Sequence, residues 1–159
     1  MNRLRSRVVI VMPAYNTAKT IRKTYKDIPS SFKKHVIVTD DGSTDESVKV
    51  ARTLGLTVIR HNKNKGYGAN QKTCYDAALK AGADIVVMLH PDYQYPSELI
   101  SPMVAMLQTG HYDVILGSRI LSGGALRGGM PLYKYVSNRI LTFVENIFTG
   151  AKLSEYHTG

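Results

Sequence analysis

Short, unbroken runs of β-branched residues set between helical stretches leave this chain few architectures. The runs lie at 8–12, 36–38, 56–59, 85–89 and 114–116 and are rich in valine and isoleucine. They do not alternate apolar with polar, which is the pattern of strands buried on both faces. Between them, apolar residues recur at helical spacing. Ile21, Tyr25 and Ile28 precede Pro29, and Val48, Ala51 and Leu54 precede Gly55, which reads as a C-terminal cap. Cys74, Ala77, Ala78 and Ala81 form a small-residue stripe before Gly82, and Met103, Met106 and Leu107 form another ending near Gly110. Pro102 predicts an irregular first turn there. Strand–helix alternation with short links implies an α/β fold, a mostly parallel sheet with helices on both faces. At 159 residues the chain is expected to be a single domain, 1–159, with one core.

In such sheets ligands sit at the carboxyl ends of the strands. The segments following the runs are PAYN at 13–16, DDGSTD at 40–45, NKGYGAN at 64–70, HPDYQYP at 90–96 and GSR at 117–119. They concentrate Asp, Asn, Gly, Lys and Arg, and the topology is expected to bring Asp40, Asp41, Asp92 and the Gly/Lys loop to one crevice. The first strand–helix turn, MPAYNTAK, contains no glycine, so a dinucleotide fingerprint is absent where it belongs, and no Walker A sequence occurs.

Composition narrows the partners. A formal charge of +9 favours anionic ligands such as phosphorylated small molecules or acidic lipid, although scattered Lys and Arg also serve solubility. Neither an RNP-like nor a helix-turn-helix pattern is present, so nucleic acid is not expected. Cys74 is the only cysteine, which excludes an internal disulfide and a multi-cysteine zinc site. The first apolar run is too short for a signal peptide, and no window reaches the roughly 18 apolar residues of a membrane span. A cytoplasmic location, or the cytosolic face of a membrane, is the expectation.

Taken in order, the motifs resemble those of family-2 glycosyltransferases with the GT-A (Rossmann-like) fold, and within them the branch that includes dolichol- and polyprenyl-phosphate sugar synthases. The resemblance runs from about Val8 to the last residue. It implies an inverting, metal-assisted hexosyltransferase that moves a sugar from a nucleotide-diphosphate donor to an acceptor, a lipid phosphate or a glycan. A nucleotide-binding or membrane-docking module without turnover is the alternative. A sugar-nucleotide-forming nucleotidyltransferase would carry a glycine-rich N-terminal loop, which MPAYNTAK is not.

The resemblance also distributes roles. Pro13, Ala14 and Tyr15 are expected to line the base pocket and Asp40 to accept hydrogen bonds from the base, while Asp41 braces the turn. Ser43 or Thr44, beside Asp45 and Glu46, is expected to cap the next helix. Lys65 and Gly66, with Lys63 and Gly68, form a basic loop at a helix N-terminus, where backbone donors favour an anion. The family's Asp-x-Asp is here His90-Pro91-Asp92, so Asp92, with His90 and Gln94, is expected to hold Mn²⁺ or Mg²⁺, phosphate and water completing the shell. Arg119 is expected at the reacting phosphates, and Arg119, Arg127 and Lys134 at the acceptor. Glu155 is the candidate base for a hydroxyl acceptor, whereas a lipid phosphate needs none. The stretch 132–148, with Val136, Ile140, Phe143, Val144 and Ile147 on one side, is expected to pack on the sheet or, as the minority alternative, to lie against a membrane. The family pattern continues beyond LSEYHTG, so a C-terminally truncated domain is expected.

Overall fold

The structure is a computed structural model describing residues 6–118, 124–126 and 129–156. The chain divides into two compact units, Met1–Asp113 and Val114–Gly159.

The first unit is a parallel sheet of β1 (Val8–Ala14), β2 (Val36–Asp40), β3 (Thr57–Arg60) and β4 (Ile85–Met88), in the order β3-β2-β1-β4. Its helices are α1 (Ile21–Asp27), α2 (Ser47–Thr53), α3 (Tyr67–Lys80) and α4 (Ile100–Gln108). Alternation along β1 explains the two-sided burial. Ile10, Met12 and Ala14 join one cluster with Ile21, Ala51, Ile100 and Val104, so α1, α2 and α4 cover that face. Val9 and Val11 join Cys74 and Ala78 of α3 on the other. The small side chains of α3 let that helix approach the sheet closely. Both faces of β1 are therefore dry, as its unbroken apolar run implies.

Register places the strand ends. Ile10 pairs with Val36 and Val8 with Ile85, so β1 and β2 extend beyond the last paired residue of β4. Ile10 N–H donates to His35 and Asp41 N–H to Ala14 O on the β2 side, while Leu89 N–H donates to Val11 O on the β4 side. Pro13 thus has its missing donor on the β4 side, past the end of that ladder, where no partner is lost.

Gly55, Gly82 and Gly110 follow α2, α3 and α4 with positive φ, where the sequence places the stops. Pro102 sits in the first turn of α4, behind a 3₁₀ turn at Ser97–Leu99, a position that loses no helical hydrogen bond. One expected strand is absent: 114–116 joins no sheet. Val114 and Leu116 are 71% and 62% exposed, so the two-sided burial that turns such a run into a strand is not provided.

The second unit is built on α5 (Leu132–Thr149), closed by Gly150. Here the side of the helix expected to be buried is the exposed one. Asn138 and Thr142 are buried, whereas Val136, Ile140, Phe143 and Ile147 are exposed. The polar side of the helix is covered by the following segment. Asn146 exchanges hydrogen bonds with the backbone of Leu153 at 2.9 and 3.0 Å, and Arg139 Nη1 donates to Ser154 O at 3.0 Å. No described helix is long and apolar enough to cross a membrane.

Candidate functional site

A cleft of ≈ 270 Å³ opens where β1, β2 and β4 end, lined by Pro13, Ala14, Tyr15 and Thr17, by Asp41, by Asn64, Tyr67 and Asn70, and by His90, Pro91 and Asp92. The expected convergence of motifs therefore occurs within the first unit, for residues from the first four of them.

The loops after β1 and β2 are sewn together side chain to backbone. Asn16 N–H donates to Ser43 Oγ (2.9 Å), Thr17 N–H to Ser47 Oγ (2.7 Å) and Ala18 N–H to Asp45 Oδ2 (3.0 Å). In return Thr44 N–H donates to Asn16 Oδ1 at 3.0 Å. This corrects the capping expectation. Ser43 is used across the loops, and it is Asp45 that accepts Ser47 N–H at the start of α2, at 2.9 Å. Burial would raise the Asp45 pKa, but the Ser47 and Ala18 donors outweigh it and hold it below the ordinary carboxylate value. Gly42 is where the turn passes its neighbour most closely: with φ +76, a Cβ there would lie 2.9 Å from Asn64 N and Lys63 C.

The adjacent aspartates have opposite fates. Asp40 is wholly buried and is not among the residues lining the cleft. Its Oδ2 accepts Ser43 N–H at 3.0 Å and lies 3.6 Å from Arg60 Nε, while Oδ1 is buried without a hydrogen-bond partner. Asp41 is the one that borders the cleft. Oδ1 receives His61 Nδ1 at 2.7 Å and Lys65 N–H at 2.9 Å, and Oδ2 receives Gly66 N–H at 2.9 Å. Burial pushes the Asp41 pKa up, but these donors, His61 foremost, bring it below the ordinary value. Asp41 does brace structure, though it braces the loop after β3 rather than its own turn.

Lys65 and Gly66 are engaged at the same point. Their backbone donors, expected to face an external anion, are taken by Asp41, because a buried carboxylate must find compensation. Neither residue lines the cleft; Asn64 and Tyr67 on either side do.

His90 and Asp92 enter from the end of β4. His90 sits between the rings of Tyr67 and Tyr95, with centroids at 5.4 and 5.5 Å. Its Nε2 lies 2.9 Å from Tyr67 Oη, which also accepts Gln71 Nε2 at 2.6 Å. The hydroxyl can donate to Nε2 or accept from it, according to the imidazole tautomer, and Nε2 is engaged either way. Burial holds the His90 pKa below its ordinary value, with the Asp92 charge acting the other way, which favours the neutral imidazole. Asp92 Oδ1 accepts Gln94 N–H at 3.0 Å across Tyr93, which has φ +67. Tyr93 is anchored on α1 through Asp27 Oδ2 (2.6 Å), with Lys23 Nζ 3.7 Å above its ring. Gln94 is exposed. Among the described residues no cluster of three or more His, Cys, Asp or Glu side chains forms a closed metal cage. One carboxylate beside a cleft, with an imidazole two residues away, suits a hard cation shared with a diphosphate and water.

Arg119 and Arg127 lie outside the described residues. Lys134 is exposed on α5, and Glu155 is buried with Oε1 lacking a partner among the described residues, both in the second unit. Thr17, Asn64, Tyr67 and Asn70 line the cleft without having been singled out individually, whereas Asp41 was expected at the crevice and is there. For the polar residues the available signal was position, since each falls in or beside a segment following a strand.

A family model described as Glycosyl transferase family 2 matches residues 9–159. The chain belongs to that family. An uncharacterized Methanocaldococcus jannaschii protein, MJ1222, is 30% identical over 96% of this chain and 62% of its own length. A UDP-N-acetylglucosamine–dolichyl-phosphate N-acetylglucosaminyltransferase of Methanococcus voltae is 26% identical over 96% of this chain and 67% of its own. The chain thus spans 62% and 67% of these two relatives, and as little as 26% of another curated relative. Among solved structures, the Mycobacterium tuberculosis glucosyl-3-phosphoglycerate synthase in complex with Mn²⁺, UDP and glucosyl-3-phosphoglycerate superposes with a TM-score of 0.57 and 26% identity. That match covers 69% of this chain and 42% of the synthase. The GT-A architecture expected from the motifs is the one found.

Proposed function

We propose that the chain is the donor-binding part of a hexosyltransferase that moves a sugar from a nucleotide-diphosphate sugar to a lipid phosphate with inversion. The observation that carries this is the meeting of Pro13–Tyr15, Asp41 and Asp92 around one cleft, at strand ends, in a chain of this family. The pyrrolidine of Pro13 and the ring of Tyr15 offer a flat apolar wall for a base. Asp40 stays a base acceptor only if the loop gives it access, and its unpartnered Oδ1 supports keeping it in that role.

Asp92 would hold the divalent cation, with Gln94 beside it; His90 would join them through Nδ1, or through Nε2 on releasing Tyr67. When bound, the cation stabilises the charge of the leaving nucleoside diphosphate. Neutral His90 and Tyr67 orient that wall of the cleft, and Lys63 and Lys65 supply positive charge nearby. A Mn²⁺–UDP complex in the mycobacterial synthase and a dolichyl-phosphate acceptor in the methanococcal relative support the donor and acceptor classes. Arg119, Arg127 and Lys134 remain the proposed acceptor-phosphate cations, and Glu155 the base should the acceptor be a hydroxyl. The exposed apolar side chains of α5 support peripheral contact with a lipid surface, and the cytosolic face of a membrane is the proposed location.

Calorimetric titration of UDP, GDP, dTDP and ADP, each with and without Mn²⁺, tests the donor site. Metal-dependent binding of one nucleotide, lost in Asp92→Ala, is the expected result. Binding by none of them to folded protein would overturn the proposal. Binding without any turnover of the matching nucleotide-sugar on polyprenyl phosphate would favour a module that only binds.

A further inference from the structure

We propose that His61 is a positioning residue for the cleft, acting on it through Asp41; the functional half of this inference rests on the cleft being a nucleotide site. His61 closes β3, is 6% exposed, and is held at both ring nitrogens: Nδ1 to Asp41 Oδ1 at 2.7 Å and Nε2 to Thr73 Oγ1 at 3.0 Å. Facing an ionised carboxylate, which can only accept, Nδ1 carries a proton. Thr73 lies on α3, and its hydroxyl is also 3.1 Å from Ala69 O. That hydroxyl can donate to Nε2 or accept from it, so the ring keeps its grip on Asp41 whether neutral or charged.

The consequence runs through Asp41 to the wall of the cleft. Asp41 has three donors, His61 and the N–H groups of Lys65 and Gly66, and His61 is the one side chain among them. Those two amides belong to the turn that carries Asn64 and Tyr67 into the lining, and Tyr67 in turn holds His90. Gly66, at φ +88, is the pivot from which α3 starts. Without His61, Asp41 would be a buried carboxylate short of a donor, free to turn toward the cleft and release the Lys65 amide, while Gly66 N–H would keep only Asn64 Oδ1, which it also reaches at 2.8 Å. With it, the carboxylate is fixed, and the loop after β3 is fixed by the carboxylate. Neither ring-nitrogen hydrogen bond of His61 goes to a residue proposed to hold the cation.

The test uses three variants and two readouts. His61→Asn keeps a donor at about the place of Nδ1, His61→Leu keeps bulk without a donor, and Thr73→Val keeps the Asp41 contact while loosening the ring. NMR hydrogen exchange of the Lys65 and Gly66 amides reports on the brace without any ligand. Titration of UDP, or whichever of the four nucleotides the wild type binds, reports on the cleft. We expect His61→Asn to keep amide protection and affinity within about threefold of wild type. His61→Leu should lose protection and about tenfold or more in affinity, the order of one charge-assisted hydrogen bond. Thr73→Val, which leaves the Asp41 contact in place, should keep both. Should His61→Leu not fold, His61→Asn decides alone. Wild-type protection in His61→Leu, or protection in His61→Asn lowered by more than about threefold, overturns the brace. Lost protection with unchanged nucleotide affinity overturns the positioning role. A wild type that binds no nucleotide overturns the site reading and the functional half together, while exchange still judges the brace.

Discussion

Gly42 and Asp41 show how much of this site rests on single atoms. An alanine at Gly42 would need a left-handed backbone and would press its Cβ to 2.9 Å from the backbone at Asn64 and Lys63, neither of which is a flexible side-chain end. Gly42→Ala is expected to cost about 1–3 kcal/mol, read from the urea midpoint at unchanged m-value. Asp41 yields a pH prediction with a definite sign. Its native pKa is depressed, so its contribution to stability is present above the ordinary carboxylate value and is lost as pH falls through the lower native one. Denaturant midpoints of wild type and Asp41→Asn, measured from neutral pH downward, should differ most at neutral pH and converge in acid. Curves that stay parallel would show that the carboxylate does not titrate as placed. The DDG sequence itself announces a turn and a pair of acids. Which acid meets the cleft depends on donors at 61, 65 and 66, which the local sequence does not rank.

Among the elements, α3 and β1 give the plainest case of sequence becoming packing. Cys74 and Ala78 are fully buried against Val9 and Val11, and their small size sets how near the helix lies. Ala78→Leu should therefore overpack this layer and cost about 1–3 kcal/mol, read in the same denaturation experiment. Wild-type stability in that variant would mean that the layer yields more than its burial suggests. The helical and strand periods of these elements were legible because each has its apolar partner across the sheet. The run at 114–116 has the same composition but lacks such burial, and it makes no strand. Composition defines a strand candidate, and neighbours complete it. On α5 the same principle acts in reverse, since Asn138 and Thr142 are buried while Ile140 and Phe143 face solvent.

For the whole molecule, that outward apolar side and the +9 charge make lipid binding testable. Flotation with vesicles containing anionic lipid should recover the wild-type protein, and recovery should drop when Ile140, Phe143 and Ile147 are replaced by serine. Because these side chains are exposed, the replacements should leave the denaturation midpoint within about 0.5 kcal/mol of wild type. Equal recovery of both proteins would assign the attraction to charge alone.

The sequence by itself determined the order of the first four strands and their helices, the glycine stops and the strand ends at which ligand-facing motifs fall, and the order of those motifs carried the family resemblance. The elements and their stops follow from hydrophobic period and turn chemistry, which are local properties of the chain. Tertiary structure decided that Asp41 rather than Asp40 borders the cleft, that Asp41 takes the Lys65 and Gly66 amides, and that His90 is engaged by Tyr67. It also decided that α5 turns its polar side inward. Each of these is a choice of partner across many residues, and hydrogen bonds and burial are settled only when distant segments compete for the same donor or the same dry surface.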